Sequence, residues 1–227
     1  MPLKIVIKIG GFLFPEKLDI DMINHYVNLL RKLFSNGHEL VVVTGGGIGA
    51  REYIELSRKI GSSEAICDEL GIEYSRLNAR LLLSGLPEAF PEIPASLKEV
   101  KRFFEINKLV IMGGLQPGQS TNAVAALVFE IIGADILINA TDVEGIYSED
   151  PRKNPKAKKY DEISIKDLFR IISSEKTIAG SYDLLDILAV TIIARSEIPT
   201  WILNGRDPKN IDKIINGGHI GTKIIFS

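Results

Sequence analysis

Three short runs of β-branched and other apolar residues each end in a cluster of glycines. That pattern narrows the possible folds more than any other feature of the chain. Residues 3–9 lead into Gly10-Gly11, residues 39–44 into Gly45-Gly46-Gly47, and residues 109–112 into Gly113-Gly114-Leu115-Gln116-Pro117-Gly118. Each run has the length and composition of a strand, and helical patterns stand between them.

The first helical pattern, residues 20–36, sets Ile23, Val27, Leu30, Leu33 and Phe34 at helical spacing, and Asn36-Gly37 supplies its stop. Residues 49–60 read as a second helix and residues 63–86 as a long one, broken near Gly71. Three prolines make residues 87–94 a loop. Ser96 then caps a short helix, with Glu99 in the capping-box position. Residues 109–112 are wholly apolar, which predicts a central strand. A helix over 124–132 and a strand over 136–140 follow, then a long polar segment over 142–160. Ser164, with Asp167 three residues on, opens another helix. Helix over 184–195, strand over 200–204, helix over 208–215 and strand over 222–226 complete the chain. This alternation predicts an α/β protein with a mostly parallel central sheet covered by helices on both faces.

The 227 residues suffice for one large domain, or for two lobes sharing a continuous sheet, and no linker or repeat divides them. A formal net charge of −2, with Lys and Arg scattered, offers no basic block for a nucleic acid polymer. The single cysteine, Cys67, allows no intrachain disulfide and suits a reducing cytoplasm. No apolar run has the length to span a bilayer, and residues 3–9, interrupted by Lys4 and Lys8, lack the apolar core of a signal peptide.

In parallel α/β sheets, ligands bind outside the carboxyl ends of the strands. Glycine lets backbone N–H groups approach an anion, and the N-terminus of a following helix favours negative charge. A plain tight turn accounts for any one of the clusters, but three along one edge of a sheet point to phosphate. Two better-known loops are excluded. Gly45-x-Gly47-x-x-Ala50 fits a dinucleotide pattern, yet the acids about twenty residues on, Asp68 and Glu69, fall in a helical pattern rather than at a strand end. No Gly-Lys-Ser/Thr follows any cluster, so there is no Walker A loop.

Charged residues beside the clusters supply candidate chemistry. Lys8 abuts Gly10-Gly11, where an ammonium can neutralise a transferring phosphoryl group, although it also fits an outward-facing strand lysine. Arg51 lies in the first turn after the second cluster, suited to bidentate phosphate recognition or to a helix surface. Asp68 can accept two hydrogen bonds from ribose hydroxyls or serve as a surface charge. Ser120 or Thr121 caps the helix after the third cluster, and Asp186 sits at a helix start, where an acid is stabilising in itself. His25, His38 and His219 are scattered without metal-ligand spacing, and Cys67 has no histidine near it in sequence.

Lys8-Ile9-Gly10-Gly11, Gly45-Gly46-Gly47 and residues 141–151, from Thr141-Asp142-Val143 to Asp150-Pro151, together resemble the amino acid kinase family. In order they resemble its phosphate loop, its acceptor loop and its nucleotide-base segment. Within the family, Gly47-Ile48-Gly49-Ala50-Arg51 and residues 113–121 are similar to the archaeal type of UMP kinase. The resemblance implies a three-layer α/β/α sandwich forming one domain over 1–227. Residues 1–135 would be its acceptor-binding part and 136–227 its ATP-binding part.

It also implies the substrates ATP and UMP, with Mg²⁺ held mainly by nucleotide phosphates rather than by a protein site, and a homohexamer. Gly10, Gly11, Phe12, Gly47 and Arg51 would then face ATP phosphates, and Thr141, Asp142, Tyr147 and Asp150 the adenosine. Gly46 would contact UMP, Asp68 its ribose, and Leu115, Gln116, Pro117, Gly118, Gln119, Ser120 and Thr121 its uracil and phosphate. Lys8 would be catalytic, ordered by Asp186. Two positions depart from the family pattern: Asn122, where many UMP kinases carry Asp, and Asp142, where Asn is common. A kinase of isopentenyl phosphate is an alternative that Asp68 disfavours. A non-catalytic nucleotide-binding protein is another, which Lys8 disfavours.

Overall fold

A computed structural model describes residues 1–149, 151, 154, 156–174 and 184–226. Seven strands form one sheet: β1 (Lys4–Ile9), β2 (Glu39–Thr44), β3 (Leu109–Met112), β4 (Ile136–Thr141), β5 (Glu162–Ser164), β6 (Thr200–Asn204) and β7 (Thr222–Ile225). Their spatial order is β3-β2-β1-β4-β6-β7-β5. Every pairing is parallel except β6 with β7. The helices are α1 (Ile20–Ser35), α2 (Gly47–Lys59), α3 (Glu64–Ser84), α4 (Leu97–Ile106), α5 (Thr121–Ile132), α6 (Ile165–Ser174), α7 (Ile187–Arg195) and α8 (Lys209–Ile215).

Strand alternation sends side chains to two separate cores. Val6, Val41, Val43, Val110, Met112, Leu137 and Ile202 pack with α4, α5 and α7 on one face. Ile5, Ile7, Ile9, Leu40, Val42, Ile111 and Ile138 pack with α1, the end of α3 and α8 on the other. The result is the expected three-layer sandwich. Each such side chain, fully buried, contributes about 1.5–3 kcal/mol, so the doubly covered strands anchor everything at their ends.

The chain runs outward from β1 through β2 to β3, then returns through α5 to β4 on the other side of β1. The sheet order therefore reverses between β1 and β4, which opens a crevice at their carboxyl ends. Side-chain caps fix the helices that face it. Ser120 Oγ accepts from the Ala123 N–H at the start of α5 (3.0 Å), and Asp186 Oδ1 accepts from the Ala189 N–H at the start of α7 (2.9 Å).

Two expectations are corrected. The wholly apolar β3 is an edge strand, not a central one. Helices cover both its faces, and the Phe90 N–H donates to Leu109 O (2.9 Å), so the loop before α4 shields its edge. The long helix α3 runs unbroken through Gly71, because glycine there admits Ile54 of α2, whose Cδ1 would lie 3.1 Å from a Cβ. The short strand β5 lies between the polar segment 142–160 and the helix after Ser164, a stretch given no element from sequence; Ile163 is its buried residue and the partner of Ile224 on β7.

Candidate active site

The three glycine clusters converge on one cleft of about 300 Å³ at the carboxyl ends of β1, β2 and β3. Gly11 from the first cluster, Gly45, Gly46 and Gly47 from the second, and Gly114 from the third all line it. The first two loops touch backbone to backbone. A Cβ on Gly11 would meet Gly47 Cα at 2.7 Å, and one on Gly47 would meet Phe14 O at 2.5 Å. Gly47 also holds φ at +72°, which side chains rarely adopt. Glycine at these positions is thus a steric requirement of the cleft.

Helix α3 holds the other two loops in place. Asn78 Nδ2 donates to Gly45 O (2.9 Å) and Gly46 O (3.1 Å). Ser75 Oγ accepts from the Gly114 N–H (2.7 Å), and Arg76 donates to Gly114 O (3.1 Å) and Leu115 O (3.2 Å). Buried Thr44, the last residue of β2, donates to Ser75 O (2.8 Å). Such buried bonds contribute about 0.5–1.5 kcal/mol each, and losing one partner costs more.

Lys8 is turned inward and 8% exposed, not outward as an ordinary strand lysine would be. It shares the cleft with Arg51, Asp68, Gln119, Ser120, Thr121 and Asp186. Ser120 Oγ donates to Asp186 Oδ2, so the caps of α5 and α7 are joined at the cleft wall. The N-termini of α2, α5 and α7 all face this space. Each carries roughly half a positive charge; with Lys8 and Arg51 set against Asp68 and Asp186, an excess of about one and a half positive charges remains. The cleft therefore suits polyanions, and its loops suit phosphate.

Other expected residues lie around the cleft rather than in its lining. Gln116, Pro117 and Gly118 form an exposed arch tied down by the Gly118 N–H, which donates to Asp68 Oδ2 (2.8 Å). Leu115 is half-buried against the core at the base of that arch. Gly10 donates to Ala140 O (2.8 Å), joining the first loop to β4. Phe12 faces Tyr26 (6.1 Å between ring centroids) and Arg206 (6.0 Å) on the β4–β6 side. Tyr26 donates to Gly205 O (2.7 Å), and burial, with the Asp207 charge second, pushes its hydroxyl far above the ordinary range. It therefore stays a neutral donor that fixes the turn after β6.

Thr141 ends β4, and its Oγ1 accepts from the Val143 N–H (3.2 Å). Asp142 is exposed, and Tyr147 bridges to Lys159. Thr141 and Asp142 thus stand at the carboxyl end of β4, across the sheet reversal from β2 and β3. Asp150 lies outside the described residues.

Sequence reading missed Ala50, Ile54, Gly71, Ile72 and Ser75 of the lining. Asp68, Gly71, Ile72 and Ser75 follow a spacing of three, four and seven, one stripe of α3, so the period counted from Asp68 could have found the last three. Asn122 also lines the cleft. Its Oδ1 accepts from Asn139 Nδ2 (3.3 Å).

Fold and site together define a phosphate-binding α/β protein whose ligand crevice spans a sheet reversal. Comparison with known proteins makes this specific. The family model described as "Amino acid kinase family" matches residues 4–204. The chain is 43% identical over 224 residues to a uridylate kinase of Methanobrevibacter smithii, covering 98% of this chain and 99% of that protein. It is 43% identical over 222 residues to a uridylate kinase of Hyperthermus butylicus, covering 97% of each. The crystal structure of a uridylate kinase from Archaeoglobus fulgidus superimposes with a TM-score of 0.87 at 38% identity, covering 98% of this chain and 100% of that one. A UMP kinase from Bacillus anthracis, 20% identical, shares the fold with a TM-score of 0.80 over 99% of this chain and 96% of that one. The chain belongs to the amino acid kinase family.

Proposed function

We propose that the chain transfers the γ-phosphoryl group of ATP to UMP, giving ADP and UDP for pyrimidine nucleotide synthesis. The observation that carries this reading is the buried Lys8 ammonium in a cleft walled by three glycine loops and three helix N-termini. Full-length similarity to proteins named uridylate kinase selects the acceptor.

In the proposed step an oxygen of the UMP phosphate bonds to the γ-phosphorus while the bond from that phosphorus to the β,γ-bridging oxygen breaks. The acceptor oxygen is already anionic, so no proton must be removed. The work left to the protein is to hold two repelling phosphates in line and to neutralise them. Lys8, buried in the cleft, would neutralise that charge. The N–H groups of the Gly10-Gly11-Phe12 turn, with Gly47 and Arg51, would take the ATP phosphates. Thr141, Asp142, Tyr147 and Asp150 would hold its adenosine. Gly46, Asp68 and residues 115–121 would hold UMP, and Asp186 would order Lys8.

The sheet reversal supports a division at about residue 135, with β1, β2 and β3 on the acceptor side and β4 to β7 on the ATP side. Among the described residues no cluster of three His, Cys, Asp or Glu side chains could hold a metal ion. Mg²⁺ would be held mainly by the nucleotide phosphates, and Asp186 is an acid of the cleft wall able to take part. There the ion would supply further neutralisation of the phosphoryl oxygens.

No helix among the described residues is long and apolar enough to cross a membrane, and a cytoplasmic place suits a nucleotide kinase. A homohexamer is the assembly we favour. Tyr53 and Leu56 on α2, Ile60 just after it, and Ile66, Leu77 and Leu81 on α3 are exposed apolar residues suited to a second copy. Sedimentation of the parent and of Leu56→Glu/Leu77→Glu tests it: the parent sediments as an assembly, and the variant as a smaller species.

A coupled assay of ADP release with UMP, CMP, dUMP and isopentenyl phosphate tests the function. UMP should give the highest kcat/KM, and a preference for isopentenyl phosphate would overturn the acceptor assignment.

A further inference from the structure

Asn139 is the register partner of Lys8 on the neighbouring strand, and both side chains stand on the α5–α7 face of the sheet. Asn139 is 2% exposed. Its Nδ2 donates to Leu184 O (3.0 Å) and to Asn122 Oδ1 (3.3 Å). Leu184 O is a carbonyl and can only accept, so the amide nitrogen must face it. The orientation of the carboxamide is therefore determined, and Oδ1 is turned away from Leu184.

That Oδ1 is buried and has no hydrogen-bond partner among the described residues. A buried acceptor left unsatisfied is destabilising, and native interiors retain few of them. On this face of the sheet Asn139 has two strand neighbours, Lys8 on β1 and Ile202 on β6. Ile202 carries no polar group, so of these two neighbours Lys8 alone offers a side-chain donor.

We propose that Asn139 is a positioning residue for Lys8, its Oδ1 receiving the Lys8 ammonium when the phosphates bind, while its Nδ2 holds Asn122 at the cleft wall. The proposal rests on the kinase reading for its effect on catalysis, though not for the contact itself. It also gives Asn122 a role. By accepting from Asn139, Asn122 Oδ1 is occupied, and its amide Nδ2 is left as a neutral donor at the cleft wall. The two amides thus form one unit spanning β4 and α5.

Two near-isosteric variants separate this role from simple packing. Asn139→Leu removes both polar atoms. Asn139→Asp keeps the Oδ1 acceptor and adds charge beside Lys8. The first readout needs no catalysis: with ¹³C-labelled lysine and saturating inorganic pyrophosphate to occupy the phosphate loops, the Lys8 Cε resonance is titrated by NMR and assigned by its absence in Lys8→Ala. Asp186, Asp68 and Arg51 also face the cleft, but they are unchanged in every variant and cancel from the comparison. Lys8 should titrate at lower pH in Asn139→Leu and at higher pH in Asn139→Asp than in the parent.

The second readout is UDP formation. In Asn139→Leu, kcat should fall about ten- to a hundredfold, the size expected for one lost hydrogen bond to a charged group, while KM for UMP stays within about twofold. The alkaline limb of kcat should move in opposite directions in the two variants. A purely structural Asn139 would lower the melting temperature and leave the Lys8 titration in place, which overturns the proposal. So does movement of both variants in one direction. If Asn139→Leu does not fold, Asn139→Asp decides alone, and a Lys8 titration no higher than the parent's refutes the contact. Failure of the parent to form UDP would instead refute the kinase reading, with the NMR result standing apart from it.

Discussion

Replacing Gly47 by alanine tests whether the close contact of the first two loops shapes the cleft. Two costs can be separated. At φ +72° an alanine suffers left-handed strain of about 1–2 kcal/mol. Its Cβ would also lie 2.5 Å from Phe14 O and 2.9 Å from Phe14 Cβ. Relieving such an overlap in a packed region costs about 1–3 kcal/mol more.

Gly217 is the natural control. It holds φ at +82°, has nothing within 4 Å of its Cβ position, and is remote from the cleft, so Gly217→Ala carries the strain alone. At about 2–4 °C per kcal/mol for a chain of this size, the control should lose about 2–8 °C of Tm. Gly47→Ala should lose more, by about 2–12 °C, for the added overlap. The activity contrast is sharper. The overlap relaxes by moving Gly11 and Phe14 away from Gly47, and a displacement near 1 Å at the transferring group costs on the order of a hundredfold in kcat. Gly217→Ala should keep parental kcat. Differential scanning calorimetry and UDP formation measured on the same preparations provide both numbers. If Gly47→Ala matched Gly217→Ala in both, the contact between the loops would not be what forms the cleft.

Other outcomes follow from individual contacts. Asp68→Asn should raise KM for UMP several-fold with kcat nearly unchanged, because its carboxylate both faces the cleft and anchors the Gly118 arch; steady-state kinetics with UMP varied checks this. Glu130 at the end of α5 is held below the usual carboxylate range, first by its hydrogen bonds from Arg195 at the end of α7, then by Ser196. A lowered folded pKa gives stability that is full above the unfolded value near 4.3 and is lost as pH falls through the folded one. Denaturant titrations should therefore show Glu130→Gln less stable than the parent at neutral pH, with the gap closing below about pH 4. Equal gaps at pH 7 and pH 3 would contradict the pairing.

The layered fold was legible because β-branched runs and helical spacing alternate without ambiguity from residue 3 to residue 141. The convergence of the glycine loops on one cleft was legible for a related reason: three such clusters stand at the ends of strands that lie side by side. Composition misled at β3, where four apolar residues report burial on both faces but not position in the sheet. Gly71 misled in the opposite way, since a glycine that ends one helix can let another helix approach. The α3 wall of the cleft was half legible. Asp68 stood out by its charge, whereas Ser75 and Asn78 act on backbone carbonyl and amide groups brought close only by the fold. The Asn122–Asn139 pair was hidden for the same reason, because 17 residues separate two amides that meet only across α5 and β4.

The most direct measurement is UDP formation by the parent and by Lys8→Ala, with UMP affinity determined on both by calorimetry. On the proposed role of Lys8, Lys8→Ala should be slower in kcat by about a hundredfold or more, with UMP affinity retained. A Lys8→Ala protein as fast as the parent would contradict the account.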